Sequence, residues 1–461
     1  MIHKYRLNGF NVVLDVNSGS VHLVDDVVYD LLSCLSAADF SRDFEEIELG
    51  KLGDVYGTAE LRSAYFEIFS LWRARLLFSE PFGASEADLE EKLSGSPIKS
   101  MCLNVAHDCN LRCRYCFAST GDFGAGRKLM SLEVAKSAVD FLLERSGSRH
   151  NLEVDFFGGE PLLNFPIVKE TVLYARSLEK TSGKSFRFTI TTNGLLLDDY
   201  IINFINDQMG NVVLSIDGRK FVNDEMRFDA AGFGSYESIV PKFRKLVSHR
   251  SGKDYYVRGT FTKKNLDFSK DVLHLYSLGF DQISIEPVVS DLGNPFAITE
   301  SEIFDVENEY ESLMNKMIVM RKKGKCFNFF HFMFDFGNGP CITKRMKGCG
   351  CGNEYIAVTP DGEIFPCHQF VGTKEWSMGN VVKKSFNDGL RREFIKANIF
   401  SNEGCADCWA KFFCSGGCSA NHFKFNGDIR KPYGLACRLQ RKRIECAIFL
   451  NLVGRLGSAI G

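Results

Sequence analysis

The chain has 461 residues, of which 45% are hydrophobic and 25% charged, so its length allows about three domains with apolar cores. Its formal net charge of −2 excludes the basic excess expected of proteins that bind nucleic acid or membrane surfaces. The sequence shows neither a signal peptide nor an apolar run of membrane-spanning length, which predicts a cytoplasmic protein. In that compartment we expect the clustered ones among the 16 cysteines to bind metal rather than to form disulfides.

The first segment, residues 1 to about 85, predicts a small domain in which strands precede helices. Alternating runs flank an Asn-Ser-Gly-Ser turn at residues 17–20, which is typical of a hairpin. Further along, one helical face carries the apolar residues Leu61, Tyr65, Ile68, Phe69 and Trp72. Together these patterns predict a winged-helix-like module. Because it has no basic stripe, DNA binding is not expected of it.

Residues 86–100, "EADLEEKLSGSPIKS", are charged and interrupted by glycine and proline, which indicates a linker. From 101 to about 320, strand-like runs alternate with amphipathic helical patterns. The strand candidates are "MCLNVA", "LEVDFF", "FRFTIT", "VVLSI", "YYVRGTF" and "QISIEP". This βα rhythm predicts an α/β fold with a parallel sheet, either curled into a partial (β/α)6 barrel or flat and doubly wound. In both forms ligands bind at the carboxyl ends of the strands.

Three cysteines follow the first of these strands directly. Cys109, Cys113 and Cys116 stand at C-x3-C-x2-C spacing in "CNLRCRYCF". Iron–sulfur clusters normally take four thiolates, so three would leave one iron open to another molecule. The alternative is a zinc site completed by His107.

The stretch "CNLRCRYCF" resembles the cysteine signature of radical S-adenosylmethionine (SAM) enzymes. The resemblance implies that the three thiolates hold a [4Fe–4S] cluster whose open iron is chelated by the amino and carboxylate groups of SAM. One electron from the cluster would cleave SAM to methionine and a 5′-deoxyadenosyl radical, which abstracts hydrogen from the substrate. The cofactor would carry the chemistry, and the protein would position and shield it. Residues 101–320 would then form the partial barrel of this family.

A glycine-rich turn, "DFFGGEP", ends the second predicted strand. Gly158 and Gly159 would let a cofactor approach the backbone closely, and the Glu160 carboxylate would pair with an ammonium group. Taken alone, the turn is an ordinary strand-to-turn junction. The resemblance implies that it is the GGE motif, which contacts the amino group of SAM.

Further cofactor-binding candidates lie at or after the ends of the third and fourth strands, in "TTNG" and "LSIDG" and beyond them. They are Thr192, Asn193, Ser215, Asp217 and Arg227. Ser215 and Asp217 are expected to reach the ribose hydroxyls of SAM. Arg227 is either a partner for a carboxylate or a solvated surface arginine. Glu286 ends the sixth strand at the same edge of the sheet, and its role is left open.

The C-terminal region, 321–461, carries a second field of cysteines. In isolation its paired knuckles are equally typical of a zinc ribbon. The pattern C-x2-C-x5-C-x3-C followed by a distant cysteine resembles, however, the SPASM domain, which holds two further [4Fe–4S] clusters. The resemblance assigns auxiliary cluster II to Cys405, Cys408, Cys414 and Cys437, and it assigns Cys367 and Cys418 to auxiliary cluster I.

Three upstream cysteines compete for the remaining positions at auxiliary cluster I. The resemblance requires at most two, and we favour Cys341 and Cys349, with Cys351 spare. Only three protein ligands at this cluster would leave an iron free to bind a substrate thiolate. The other cysteines, Cys34, Cys102, Cys326 and Cys446, are expected to be buried structural thiols.

Across its whole length the chain resembles the maturases of SCIFF peptides, which contain six cysteines in forty-five residues. The stretches that carry this resemblance are "LDVNSGSVHLVDDVVYDLL", "HDCNLRCRYCFASTGDFG", "NLEVDFFGGEPL" and "NEYIAVTPDGEIFPCHQFVG". It implies a three-cluster enzyme that joins a cysteine sulfur of a ribosomally made peptide to a carbon of a residue such as threonine. The N-terminal module would bind the leader peptide as an added strand. A flavodoxin or ferredoxin would supply electrons.

Two alternatives remain open. One is another SPASM chemistry, either formylglycine formation or carbon–carbon cross-linking. In the sulfatase-activating relatives an aspartate, the proposed base, follows the cysteine that corresponds to Cys367, whereas this chain has His368, which disfavours formylglycine formation. The other alternative is a non-catalytic regulator that binds iron–sulfur clusters or zinc.

Overall fold

The computed structural model describes residues 1–81, 86–336 and 345–459. The N-terminal region is an antiparallel sheet followed by helices: β1 (Ile2–Leu7), β2 (Phe10–Asp15), β3 (Val21–Val24), α1 (Asp26–Leu31), α2 (Leu52–Val55) and α3 (Thr58–Arg73). Successive side chains of β2 point to opposite faces, as the pleat requires. Val12 and Leu14 enter a core shared with the rest of the protein, whereas Val13 joins the core formed with α1 and the predicted apolar face of α3.

The central region is a parallel sheet covered by helices. Its strands are β4 (Ser100–His107), β5 (Lys128–Leu129), β6 (Asn151–Gly158), β7 (Ser185–Thr192), β8 (Asn211–Ser215), β9 (Tyr256–Phe261), β10 (Gln282–Pro287) and β11 (Asn328–Phe329). Its helices are α4 (Glu86–Ser94), α5 (Leu132–Arg145), α6 (Phe165–Ser182), α7 (Asp199–Gln208), α8 (Lys220–Met226), α9 (Tyr236–Ser248), α10 (Phe268–Ser277) and α11 (Ile303–Lys322). All six predicted strands are present and lie in the order β4-β6-β7-β8-β9-β10, which confirms the predicted α/β class.

The parallel arrangement places the candidate site residues along one edge of this sheet. The six strands β4, β6, β7, β8, β9 and β10 all run in the same direction, so their carboxyl ends meet, whereas the short β5 pairs antiparallel with β4. The cysteine loop follows β4, the GGE turn follows β6, the TTN segment follows β7 and Glu286 lies near the end of β10. Every predicted SAM-binding residue therefore lies on or next to this edge.

The C-terminal region continues the same sheet. It contains β12 (Tyr355–Val358), β13 (Glu363–Phe365), β14 (Gly379–Asn380), β15 (Ser385–Phe386), α12 (Asp388–Lys396), α13 (Lys411–Cys414), α14 (Ser419–Asn426) and α15 (Gly434–Ala459). β12 pairs with β4 in parallel, and β13 to β15 extend the sheet as antiparallel strands. The predicted domain boundary at residue 320 falls within α11. No helix in the described ranges is both long and apolar enough to cross a membrane.

The N-terminal sheet docks on the C-terminal region through β1. The His3 ring stacks on Trp409 with centroids 3.7 Å apart and planes at 3°, and its Nε2 lies 3.0 Å from the Glu445 carboxylate on α15. The Tyr5 hydroxyl donates to the Glu445 carbonyl at 3.0 Å. The first and last regions of the chain are thus in direct contact.

A buried ion pair fixes the loop that follows β8. Arg219 Nε donates to Asp271 Oδ1 at 2.7 Å, and Asp271, on α10, is completely buried. Arg219 also pairs with Asp267 at 2.7 Å, but that carboxylate is 40% exposed. This arrangement ties the segment that contains Asp217 to the helical layer.

We predict that the two carboxylates differ in their contribution to stability. Asp271→Asn removes the buried carboxylate that accepts from the Arg219 side chain, the Arg219 N–H and Asn265 Nδ2, and should lower the free energy of unfolding by about 3 kcal/mol although Arg219 keeps Asp267. Asp267→Asn, the matched control, should cost less than about 1 kcal/mol because its partner remains bound to Asp271. Urea unfolding followed by circular dichroism measures both. Equal midpoint shifts would contradict this assignment.

Candidate functional site

The three cysteines of "CNLRCRYCF" lie together in the loop after β4. The loop is held in place by backbone contacts, such as the Arg112 N–H that donates to the Phe228 carbonyl at 2.7 Å. The pKa of the Cys109 thiol is raised to about 11 and that of Cys113 to about 12. Burial is the main cause, and the charge of the neighbouring Cys116 contributes to both values. Gathered thiols with such raised pKa values become thiolates when a metal centre binds them. The loop therefore fits a cationic cluster.

The buried carboxylate of Asp217 supports this loop through hydrogen bonds. The Tyr115 hydroxyl donates to both oxygens of Asp217, at 2.8 and 2.6 Å. Arg227 Nε and the Thr260 N–H both donate to Asp217 Oδ1 at 3.0 Å. Asp217 is fully buried and occupied by these donors, so the geometry favours a supporting role over contact with a ribose. Arg227 has only 11% of its side chain exposed, so it is not a solvated surface arginine.

The two glycines of the GGE turn are required by the protein's own backbone. Gly158 has φ +128°, and a Cβ there would lie 2.2 Å from the Ala106 carbonyl oxygen. A Cβ at Gly159 would lie 2.2 Å from the Asp108 carbonyl oxygen. No side chain fits at either position. The sequence suggested that these glycines admit a cofactor, but in the structure they admit the segment that leads into the cysteine loop.

Glu160 is the buried acceptor at the centre of the site. Its carboxylate accepts hydrogen bonds from Thr192 Oγ1 at 2.7 Å, from the Asn193 N–H at 2.8 Å and from the Leu162 N–H at 3.1 Å. Burial raises the pKa of Glu160 to about 7, although these hydrogen bonds oppose the rise. Within the described ranges no Lys or Arg forms an ion pair with it. A buried carboxylate without a cation is complementary to the amino group of a ligand.

Asn193 connects this carboxylate to the cysteine loop. Its backbone N–H is bound by Glu160, while its side-chain Nδ2 donates to Asn110 Oδ1 at 2.7 Å and lies 3.7 Å from Cys109 Sγ. The structure thus brings the predicted Cys109, Glu160, Thr192 and Asn193 into one network.

An open cavity of about 190 Å³ lies beside this network. Its lining includes Tyr115, Phe117, Phe157, Thr191, Ser215, Arg227, Arg258, Thr260, Glu286 and His368. The predicted Ser215 and Arg227 are therefore both accessible to a ligand. Sequence reasoning missed Arg258, which forms an ion pair with Glu286 at 2.8 Å. The sequence signal for Arg258 was the alternation in "YVRGTF", which places Arg258 on the strand face opposite the buried Val257 and Phe261.

The C-terminal region contributes His368 to this cavity. The imidazole lies between Phe157 and Phe117, with ring centroids 4.9 and 5.8 Å away, and its Nδ1 is 3.3 Å from the Tyr355 hydroxyl. Burial lowers the pKa of His368 to about 4, so the ring is neutral near pH 7. Neighbours of both cysteine fields, Tyr115 and Phe117 in the first and His368 beside Cys367, therefore line the same cavity.

Four of the C-terminal cysteines surround a second cavity, of about 500 Å³: Cys405, Cys408, Cys414 and Cys437. Burial and the charges of its three neighbours raise the pKa of Cys414 to about 12. Tetrahedral zinc would need all four sulfurs about 2.3 Å from one point. Within the described ranges no three His, Cys, Asp or Glu side chains converge on a single-ion position. The four thiols line one cavity and fit a metal centre.

Four further cysteines of the C-terminal region influence one another's pKa values: Cys349, Cys351, Cys367 and Cys418. This group differs from the ligands expected for auxiliary cluster I. The Cys351 thiol hydrogen-bonds to Cys367, which lowers the pKa of Cys367. Burial raises the pKa of Cys418 to about 11, and the charges of Cys367 and Cys349 add to that rise. Cys351 was predicted to be spare, but it lies within this group. The favoured Cys341 lies outside the described residues.

Comparisons with known protein families agree with this geometry. Residues 103–250 match the Radical SAM superfamily, and residues 349–409 match the SPASM iron–sulfur cluster-binding domain. The chain is therefore a radical SAM enzyme with an iron–sulfur SPASM domain. Its cofactors are SAM and iron–sulfur clusters, and the residues described above fit both.

Individual relatives cover most of the chain at low identity. A cysteine-type anaerobic sulfatase-maturating enzyme of Clostridium novyi is 24% identical over 69% of this chain and 86% of its own length. The radical SAM cyclopropyl synthase TigE of Paramaledivibacter caminithermalis is 20% identical over 97% of this chain and 92% of its own.

Two solved structures share the fold. The enzyme anSMEcpe with bound AdoMet has a TM-score of 0.64 and 19% identity, covering 77% of this chain and 99% of its own. Streptococcus suis SuiB bound to its precursor peptide SuiA has a TM-score of 0.54 and 16% identity, covering 94% and 98%.

We predict that the affinity for SAM rises with pH through the ionisation of Glu160. With a pKa of about 7 in the SAM-free protein, this carboxyl is largely protonated below that pH and cannot accept a bond from the SAM amino group. The Kd for SAM should therefore fall between about pH 6 and pH 8. Glu160→Gln should weaken binding at least about tenfold.

The diagnostic readout is the difference between the pH profiles of wild type and Glu160→Gln, because the SAM amino group itself titrates. Calorimetry on the reconstituted protein measures both profiles. The exposed Glu133→Gln should behave as wild type. Parallel profiles in wild type and Glu160→Gln would rule out this role.

Proposed function

We propose that the chain is a maturase of a ribosomally synthesised, cysteine-rich peptide, in which it joins a cysteine sulfur to a carbon of an acceptor residue such as threonine. The observation that carries the proposal is the shared cavity. Tyr115 and Phe117 of the cysteine loop line it, and so do His368 and Gln369, which directly follow Cys367. A peptide in this cavity would have its acceptor carbon near SAM and its thiol near an auxiliary cluster.

The cofactors would be held by residues at the strand ends. Cys109, Cys113 and Cys116 would ligate one [4Fe–4S] cluster, and Glu160 would accept from the SAM amino group. Ser215 and Arg227 would bind the polar groups of SAM that face the cavity, while Asp217 would orient Arg227 and Tyr115. When bound, SAM and this cluster supply a radical that removes hydrogen from the substrate. Phe117, Phe157 and the neutral His368 would exclude water from the reacting carbon.

Two auxiliary clusters would complete the enzyme, giving three in all. Auxiliary cluster II would be ligated by Cys405, Cys408, Cys414 and Cys437. Auxiliary cluster I would use Cys349, Cys351, Cys367 and Cys418, which replaces Cys341 of the sequence interpretation by Cys351. A flavodoxin or ferredoxin would exchange electrons with these centres.

The N-terminal sheet would recognise the leader peptide. β3 pairs with β2 on one side, and within the described ranges no strand pairs with its other edge. A peptide can add to such an edge through backbone hydrogen bonds. The similarity to a sulfatase-maturating enzyme and to SuiB, which was solved with its precursor peptide, is consistent with a polypeptide substrate.

The test is an anaerobic incubation of the reconstituted enzyme with SAM, a reductant and a short cysteine-rich precursor peptide, sought first among the reading frames beside its gene. Each thioether link should remove two hydrogens from the peptide mass together with one alkylatable thiol. Loss of two hydrogens with the thiol still alkylatable would point instead to a carbon–carbon link, and formylglycine would replace a cysteine sulfur by oxygen. Release of 5′-deoxyadenosine with an unchanged peptide would reject this substrate. A chain that does not cleave SAM would overturn the proposal.

We predict that Cys351 is required for auxiliary cluster I. With three clusters the reconstituted chain should contain about twelve iron atoms, and Cys351→Ser should lose about four of them because one thiolate ligand is missing. Cys446→Ser, at a buried cysteine on α15 outside both groups, should retain all of them. Iron analysis and Mössbauer spectroscopy measure the outcome. Full iron in Cys351→Ser, with loss in Cys341→Ser, would restore the original assignment.

A further inference from the structure

One ion pair in the cavity is not among the residues assigned above to the cofactors. Arg258 lies on β9 and Glu286 on β10, with Nη2 2.8 Å from Oε1. Their side chains are 46% and 34% exposed, because both project into the open cavity. On the other face of the same strand, Val257 and Phe261 are completely buried. The strand pleat therefore aims the pair at the ligand space.

The pair retains unused hydrogen-bonding capacity. The contact uses one guanidinium nitrogen and one carboxylate oxygen, which leaves further N–H donors on Arg258 and Oε2 on Glu286. No other side-chain hydrogen bond to either residue occurs in the described parts of the chain. An exposed ion pair of this kind contributes little to stability, so folding alone gives it little purpose.

The pair shares its cavity with residues from both cysteine-bearing regions. Tyr115 and Phe117 of the cysteine loop line it, and so does His368 of the C-terminal region. The Arg258 charge is close enough to His368 to help lower the pKa of that ring. A molecule bound to Arg258 and Glu286 would thus occupy the cavity that these residues line.

A donor beside an acceptor matches the main chain of an extended peptide. In an extended strand the N–H and C=O of one residue point to the same side, where a neighbouring strand would receive them. We propose that Arg258 and Glu286 form a main-chain clamp, in which Arg258 donates to the carbonyl and Glu286 accepts from the N–H of one substrate residue. This inference rests on the proposed function, and it adds the subsite that positions the acceptor residue. Since the clamp reads backbone atoms, it tolerates different side chains.

The experiment measures binding and product separately. The probe is a synthetic capped hexapeptide that contains one Cys and one Thr, together with a series in which each backbone nitrogen is methylated in turn. Binding to the reconstituted, SAM-loaded enzyme is followed by anaerobic calorimetry. The variants are Glu286→Ala and Arg258→Ala. The matched control is Glu237→Ala, which removes an exterior carboxylate paired with Lys220 at 2.7 Å.

Glu286→Ala and Arg258→Ala should each weaken hexapeptide binding about tenfold, the effect of a hydrogen bond to a charged group. Iron content and SAM affinity should stay at the wild-type level, which a merely structural role would not allow. Methylation at one position should weaken binding to wild type but cause no further loss in Glu286→Ala. Glu237→Ala should match wild type throughout.

Unchanged hexapeptide affinity in Glu286→Ala and Arg258→Ala, or a methylation penalty that persists at every position in Glu286→Ala, would overturn the clamp. So would a wild-type enzyme that does not bind the hexapeptide. Failure of the proposed function gives a different result. Hexapeptide binding would still depend on Glu286, but the cysteine-rich peptide would lose no mass. That outcome would support the clamp and reject the thioether chemistry.

Discussion

A carboxylate without a counter-cation is the group around which the strand ends are arranged. Burying Glu160 is unfavourable unless donors surround it, and those donors come from the end of β7 and from the turn itself. Satisfying Glu160 therefore fixes the end of β6 against the end of β7. The same contact sets the backbone of Asn193, whose side chain reaches the Cys109 loop. Among the described residues no lysine or arginine pairs with this carboxylate, so Glu160 is complementary to the amino group of a ligand.

The continuous sheet sets the relation between the two cysteine fields. β4 leads directly into the first cysteine loop, and its neighbour β12 leads through β13 to Cys367. Adjacent strands lie about 4.8 Å apart, so a β12–β4 pairing holds the two fields on one rigid frame. A hinge between separate domains would let that distance vary. A reaction that needs a sulfur and a carbon together requires a fixed distance.

The sequence was sufficient for features that depend on local pattern. Buried parallel strands appear in the sequence as apolar runs, which is why all six were found. The spacing of the cysteines can likewise be recognised without any knowledge of the fold. Contacts across the sheet were not accessible in this way. Asp217 lies at a strand end, where a ligand-binding residue is also expected. Only the structure shows that Tyr115 and Arg227 already donate hydrogen bonds to its carboxylate. Cys351 could not be separated from its neighbours, because the thiol contact with Cys367 depends on the turn between them.

The stacking of His3 on Trp409 has a consequence for how such enzymes diversify. Trp409 directly follows Cys408, which lines the larger cavity. Through His3, the N-terminal sheet therefore contacts the loop that carries this cysteine. An N-terminal module exchanged between relatives would arrive without the ring and the hydroxyl that meet Trp409 and Glu445. Such an exchange at the linker would therefore expose an aromatic surface on the C-terminal region. Substitutions in β1 and in α15 thus constrain one another, although 442 positions separate His3 from Glu445 in the sequence.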